Sequence, residues 1–274
     1  MKLNTKRTML VGLAFLSICI FWQMYDSVMT LILTDTFHLN ETIAGAVMAA
    51  DNVLALFLLP LFGALSDKTN TRIGRRMPYI IGGTAAAVAL MNLLPVLDNA
   101  YAASPSPLIL GLFIAVLAQL LVAMGVYRSP AVALMPDVTP KPLRSRGNAV
   151  INLMGAVGGI LYLALAAVLY PASRKVAGHV DYQPLFIIVS LIMAVSVLVL
   201  ALTVKEKRLS EENRALEKQH PDWNLAAKDE SGNEVLPKEV KRSLTFLLES
   251  ISLWFIAYNG VTTWFTKYIE QVMG

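Results

Sequence analysis

Charge is what this 274-residue chain has least of: 15% of its residues are Asp, Glu, Lys or Arg, against about 25% in an ordinary soluble domain. Cysteine is nearly absent. With Cys19 alone, an intrachain disulfide and a cysteine-type metal site are both excluded. The three histidines, His38, His179 and His220, fall outside the long apolar runs, which argues against a histidine proton relay. No HExxH, G-x-S-x-G, phosphate-loop lysine or paired CxxC pattern occurs. The chain is therefore read as a non-enzyme, without a catalytic residue, a metal or an organic cofactor.

What is abundant is apolar sequence. Hydrophobic residues make up 56% of the chain and the mean hydropathy is +0.58. The apolar runs lie at about 9–33, 42–65, 78–97, 107–135, 147–170, 184–204 and 244–268, each near or above the roughly 20 residues that cross a bilayer as a helix. The first run is too long for a signal-peptide core and is followed by others like it. These runs predict an all-α membrane protein, with a six-helix domain over 1–204, a cytoplasmic linker over 205–243 and a seventh span within 244–274. The linker is mixed in charge and amphipathic at best around Leu209 and Leu216. A lone helix after such a linker reads as the start of a second half. The chain is thus expected to be the front of a longer carrier, a truncated product or one part of a split pair, in need of a C-terminal half or a partner chain. Within 1–204 a three-plus-three division about 98–106 fits the inverted repeats of secondary transporters.

Net charge is +4 and the pI about 9.1, yet nucleic acid is not the implied partner. The Lys and Arg residues concentrate at the N-terminus (Lys2, Lys6, Arg7) and in 66–77, 136–146 and 205–243; segments 35–41 and 98–106 carry none. Only Arg174 and Lys175, in 171–183, break the alternation. The positive-inside rule predicts a multi-pass protein of the cell membrane, plasma or inner, with a cytoplasmic N-terminus. The sequon at Asn40 is short enough to arise by chance and is discounted.

Three ionisable residues lie well inside predicted spans: Asp26, Asp51 and Arg128. At ~1.5 Å per residue, the two aspartates sit about 12–14 Å and Arg128 about 18 Å below the outer surface. Each costs about 2.5–3.5 kcal/mol at a helix centre, so each needs a partner or a hydrated cavity. Gln23, Asp26, Ser27 and Thr30 form one polar stripe at helical spacing. Asn148 and Asn152 begin another, continued by Gly155 and Gly159; it fits a cavity wall and helix packing equally well. Gln119 lies about 180° around its helix from Arg128 and is read as packing. Trp22 and Tyr25 flank Asp26 and have the chemistry to stack on a sugar ring. In the seventh span Tyr258 and Asn259 are central, and Trp264, Lys267 and Tyr268 read as interface anchors.

Between the second and third runs lies GALSDKTNTRIGRR, residues 63–76, followed by MPYI. It resembles the signature loop of the major facilitator superfamily, G-x-x-x-D-[RK]-x-G-[RK]-[RK], in an expanded form similar to that of the sucrose-transporter and glycoside–pentoside–hexuronide:cation symporter branch. YRSPAVALMPDVTPKPLRSRGNAV (127–150) and WFIAYNGVTTWF (254–265) extend the likeness over most of the chain. One departure is Val132, where the sucrose carriers have an arginine; here the arginine is Arg128.

The resemblance implies twelve helices in two halves, and alternating access to a central site. It also implies a conformational, bracing role for Gly63, Asp67, Lys68, Gly74, Arg75 and Arg76, with bracing partners in the other half. The function it implies is symport of a sugar or glycoside with H⁺ or Na⁺. Asp26 and Asp51 would carry the coupling ion; Arg128, Gln23, Trp22, Tyr25, Asn148, Asn152, Tyr258 and Asn259 would meet substrate or balance charge. Two other readings are a half-transporter, sensor or assembly protein that does not transport alone, and a facilitator exporting drugs or other metabolites.

Overall fold

The computed structural model describes residues 2–170, 179–220, 223, 227–228, 234–235 and 238–273. Its contacts divide into two units, Met1–Ala215 and Leu216–Gly274. In the first, α1 (Thr5–Leu31) runs into a π-helical turn (Ile32–Thr36). There follow α2 (Glu41–Lys68), α3 (Met77–Ala103), α4 (Pro107–Val138), a 3₁₀ turn (Lys141–Leu143), α5 (Arg144–Leu169), α6 (Gln183–Thr203) and α7 (Glu206–Gln219). Helices α1 to α6 have 21 to 32 residues, or about 31–48 Å, against a hydrocarbon core of about 30 Å. Their starts are written locally. Asn4, Asn40 and Ser106 accept hydrogen bonds from the first-turn N–H groups of Arg7, Ile43 and Leu108. Pro78, Pro107 and Pro184 stand in first turns, where no N–H donor is needed.

Helix α1 lies against α5 and α6, α3 against α4 and α6, and α2 mainly against α4. Phe21, Tyr25, Phe113, Tyr127 and Phe186 are fully buried among them. The Tyr127 hydroxyl reaches α1, donating to the Ala14 carbonyl at 2.9 Å and contacting Ser17 Oγ. Large apolar side chains such as Leu56, Phe57, Leu108, Val168 and Leu202 project outward, as expected of helices that meet lipid or other helices rather than water. Glycine sets the α1–α5 distance. A Cβ on Gly158 would strike the backbone carbonyl of Leu16, and one on Gly155 would come within 2.9 Å of Cys19 Sγ. Because a backbone carbonyl cannot swing aside, Gly158→Ala is expected to cost about 1–3 kcal/mol through forced separation of the helices. Thermal unfolding of the purified chain checks this, and an unchanged midpoint would show that α5 shifts freely.

Two sequence expectations are corrected. The outer connection expected at 98–106 shrinks to Ser104–Ser106, because α3 continues to Ala103 and makes Asp98 and Asn99 helical. The polar stretch 205–243 is not simply a linker. Its first part is α7, and residues up to Ala215 belong to the first unit. On α7 the buried residues are Glu206, Ser210 and Asn213, spaced along one helical face. Leu209 adds an apolar contact with the core, but the buried face of this helix is mostly polar and leaves little hydrophobic stripe to read.

In the second unit, Ala227–Lys228 pairs antiparallel with Glu234–Val235. Helix α8 (Lys238–Met273) takes in the predicted 244–268 span and the last six residues assigned to the linker. Its Trp254 ring stacks on Tyr258 at 5.2 Å, and Asn259 is exposed within the unit. The Lys267 side chain, Arg174 and Lys175 lie outside the described residues.

Candidate functional site

The three intramembrane charges come from three helices and converge. Asp26 stands on α1, Asp51 on α2 and Arg128 on α4, all half-buried. Asp51 lies within electrostatic reach of both Arg128 and Asp26. The Arg128 guanidinium sits 5.5 Å from the centre of the Trp22 ring, within cation–π range. Tyr25 is not an open stacking platform. Its ring is buried between Phe21 and Trp22, with ring centres at 6.1 and 5.3 Å. What Tyr25 offers is its hydroxyl. Among the described residues, that hydroxyl, Trp22 Nε1 and Asp51 Oδ1 are buried without a hydrogen-bond partner, two donors and one acceptor in the neighbourhood of the charged trio. Buried polar atoms left so are uncommon and call for a reason.

The remaining sequence candidates divide. Gln23 is half-buried, and its Oε1 is the nearest group to a Cβ built on Gly159, at 3.7 Å. Ser27 bonds back to the Gln23 carbonyl at 2.8 Å, and Thr30 is buried. Asn148 and Asn152 are exposed on α5 while Gly155 is buried against α1, so that stripe serves an open face at one end and helix packing at the other. Gln119 is exposed. Tyr258 and Asn259 belong to the second unit.

A second constellation lies where α2 ends, α3 begins and α4 ends. Arg76 contacts Asp67, donates from Nε to Asp137 Oδ2 at 2.9 Å, and reaches Ser66 Oγ at 2.5 Å and the Gly63 carbonyl at 3.2 Å. Arg75 forks onto Asp137 from Nε and Nη2 at 3.2 and 2.5 Å, and lies 3.5 Å from Asp67. Lys68 is exposed. Asp137 stands at a helix C-terminus, which disfavours an anion, and the arginines stand at a helix N-terminus, which disfavours cations. Each therefore relieves the other's placement.

Glu206 completes the arrangement. Its carboxylate accepts from the backbone N–H groups of Arg75, Arg76 and Met77 at 2.8–3.1 Å. It thus does for α3 what a local capping side chain does elsewhere; Arg76, at the cap position, makes no such bond itself. Gly74 explains its place in the motif here. Its φ of +126° favours glycine, and a Cβ would collide with the Glu206 carboxylate. Helix α7 also closes the end of α4, where Asn213 Nδ2 donates to the Asp137 and Thr139 carbonyls. These partners of the 63–76 loop all lie within Met1–Ala215. Sequence reasoning missed Asp137, Glu206 and Asn213. Asp137 stood inside a quoted motif, but nothing in the polar run 205–219 marked the other two.

One family model matches residues 11–274, that of the Major Facilitator Superfamily. Searches of curated proteins and of solved structures return no match. The match covers nearly the whole chain and agrees with seven helices long and apolar enough to cross a membrane among the described residues. On this evidence the chain is a multi-pass membrane protein and belongs to the Major Facilitator Superfamily, a family of transporters.

Proposed function

We propose that the chain acts in secondary active symport of a sugar or glycoside with H⁺ or Na⁺, in the cell membrane and with its N-terminus in the cytoplasm. The observation that carries the coupling is the charge balance of Asp26, Asp51 and Arg128. Fully ionised, the trio sums to −1, so one monovalent cation neutralises it. Neutralising a carboxylate in a low-dielectric site lowers the cost of closing that site away from water. Empty, the site retains a net charge that opposes closure. This difference ties movement of the cation to the change of access.

Orphaned Trp22 Nε1 and Tyr25 hydroxyl groups suit a polyhydroxylated substrate, which presents both acceptors and donors. The indole of Trp22 supplies the apolar contact. Asn148 and Asn152 contribute further polar wall on α5, and Tyr258 and Asn259 are assigned to substrate on α8. The opposing wall is assigned to the second half that the superfamily resemblance implies, on the same chain or a partner's. The loop at 63–76 works as a conformational brace.

Uptake of radiolabelled disaccharide, with and without a protonophore or a Na⁺ ionophore, tests the reading. Asp51→Asn and Asp26→Asn are each expected to reduce ion-driven accumulation by about tenfold or more, since about 1.4 kcal/mol of lost coupling is a factor of ten. Accumulation indifferent to both ionophores and both substitutions would remove these roles.

A further inference from the structure

At the end of the bundle opposite the N-terminus, the π turn, α3 and the start of α6 meet around one imidazole. Phe37, after the π turn, packs on Tyr101 of α3 and Phe113 of α4, with ring centres 4.5 and 4.7 Å apart. Asp98, on the same helix as Tyr101, is fully buried, and among the described residues neither of its carboxylate oxygens has a hydrogen-bond partner within 3.5 Å. His179, just before α6, places Nε2 at 3.6 Å from Asp98 Oδ2. A buried carboxylate is expensive without good partners, and the group facing it is an imidazole, which can be neutral or charged.

The surrounding bonds identify which nitrogen holds a fixed hydrogen. Asn99 Nδ2 donates to Asp181 Oδ1 at 2.8 Å, so its Oδ1 is the atom that faces His179 Nε2 at 2.7 Å. An amide oxygen only accepts, and Nε2 therefore carries a hydrogen in either charge state. Nδ1 is left to gain or lose the proton, and it faces the Thr36 hydroxyl at 3.3 Å. When the ring is neutral, Thr36 donates to Nδ1. When the ring is charged, Nδ1–H donates to Thr36, whose own hydrogen is then free for Asp98, with which this hydroxyl interacts. The other titratable groups around the imidazole are Asp181 ahead of α6, Asp35 beside Thr36, and the Tyr170 hydroxyl, which donates to the Asp181 carbonyl at 2.8 Å. These statements concern the described residues.

We propose that His179, Thr36 and Asp98 form a proton-operated clasp that ties the far end of α3 to the π turn after α1 and to the start of α6. Protonation of His179 gives Asp98 both a counter-charge and a donor, and the three elements tighten. Deprotonation leaves the carboxylate unpaired, and they loosen. The clasp is separate from the Asp26–Asp51–Arg128 trio and does not depend on the identity of the transported solute. On a face that meets varying pH, it would bias how readily that end of the bundle opens.

The test is a double-mutant cycle on thermal unfolding of the purified chain, with Asp98→Asn, His179→Gln and the pair, at pH 6 and pH 8. The expected coupling is about 2 °C or more at pH 6 and near zero at pH 8. Equal coupling at the two pH values, or none at either, overturns the proposal. Should Asp98→Asn fail to fold, hydrogen exchange over residues 96–103 decides. Corrected for intrinsic rates, exchange in the unaltered chain is expected to be about threefold slower at pH 6 than at pH 8, and pH-independent in His179→Gln. Exchange with the same pH dependence in both proteins overturns it.

Discussion

Glu206→Ala is expected to lower the thermal midpoint of the chain by about 5–10 °C, the equivalent of about 2–4 kcal/mol in a unit of this size. The loss has a specific source. Three backbone N–H groups at the start of α3 share this one carboxylate, and Arg76 and Met77 are buried where water does not replace it. Removing the acceptor also leaves two arginines at a helix N-terminus with no nearby anion except Asp137 and Asp67. Glu206→Gln keeps one carbonyl acceptor but brings an NH₂ group toward N–H donors, so it should recover only part of the loss. Detergent-solubilised protein followed by intrinsic fluorescence would measure both. A shift of less than about 1 °C for the alanine variant would mean that α7 is dispensable to α3. Asp67 offers a contrast: it is 55% exposed, and Arg76 keeps Asp137, Ser66 and Gly63 without it.

Arg128→Leu is expected to abolish ion-driven accumulation, with a fall of about 100-fold or more, because Asp51 loses the cation within its electrostatic reach and a charge at mid-membrane costs about 2.5–3.5 kcal/mol when nothing balances it. It leaves Asp51 beside Asp26 without the cation in its electrostatic reach and uncovers the Trp22 ring. Arg128→Lys keeps the charge but loses the planar face over the indole, so an intermediate defect is expected. The charge-neutral pair Arg128→Leu with Asp51→Asn should recover folding and membrane insertion while leaving transport uncoupled. Uptake with an imposed ion gradient, read beside expression level, separates these outcomes. Full accumulation by Arg128→Leu would place the cation site elsewhere.

Much of the architecture was legible before any coordinates. The predicted spans fall within a few residues of the observed helices: 42–65 lies within α2, and 107–135 within α4. Boundaries failed where a polar residue continued a helix, as at Asp98 in α3, or where a helix buried a mostly polar face, as in α7. The functional candidates behaved differently. Spacing placed Gln23, Asp26 and Ser27 on one face of α1, but could not say that Asp51 from α2 and Arg128 from α4 would join them. Nor could it say that the Tyr25 ring would be buried while its hydroxyl was left without a partner. His179 was legible only as a loop histidine, since its relevance depends on Asp98 and Thr36, which reach it from other helices.

By itself, then, the sequence determined the spans, the superfamily and the rarity of buried charge, because transfer of apolar residues into a bilayer is a property of each segment alone. Tertiary structure decided which charges meet. Arg75 and Asp137 are 62 positions apart, and the backbone N–H of Arg75 and Glu206 are 131 apart. Pairings of that kind depend on how helices pack, and a polar atom shows no sign in one dimension of the partner that it finds in three. The apolar runs therefore announced a membrane protein at first reading. The bonds that hold the loop at 63–76, and the approach of the central charges to one another, exist only once α1, α2, α3, α4 and α7 are assembled.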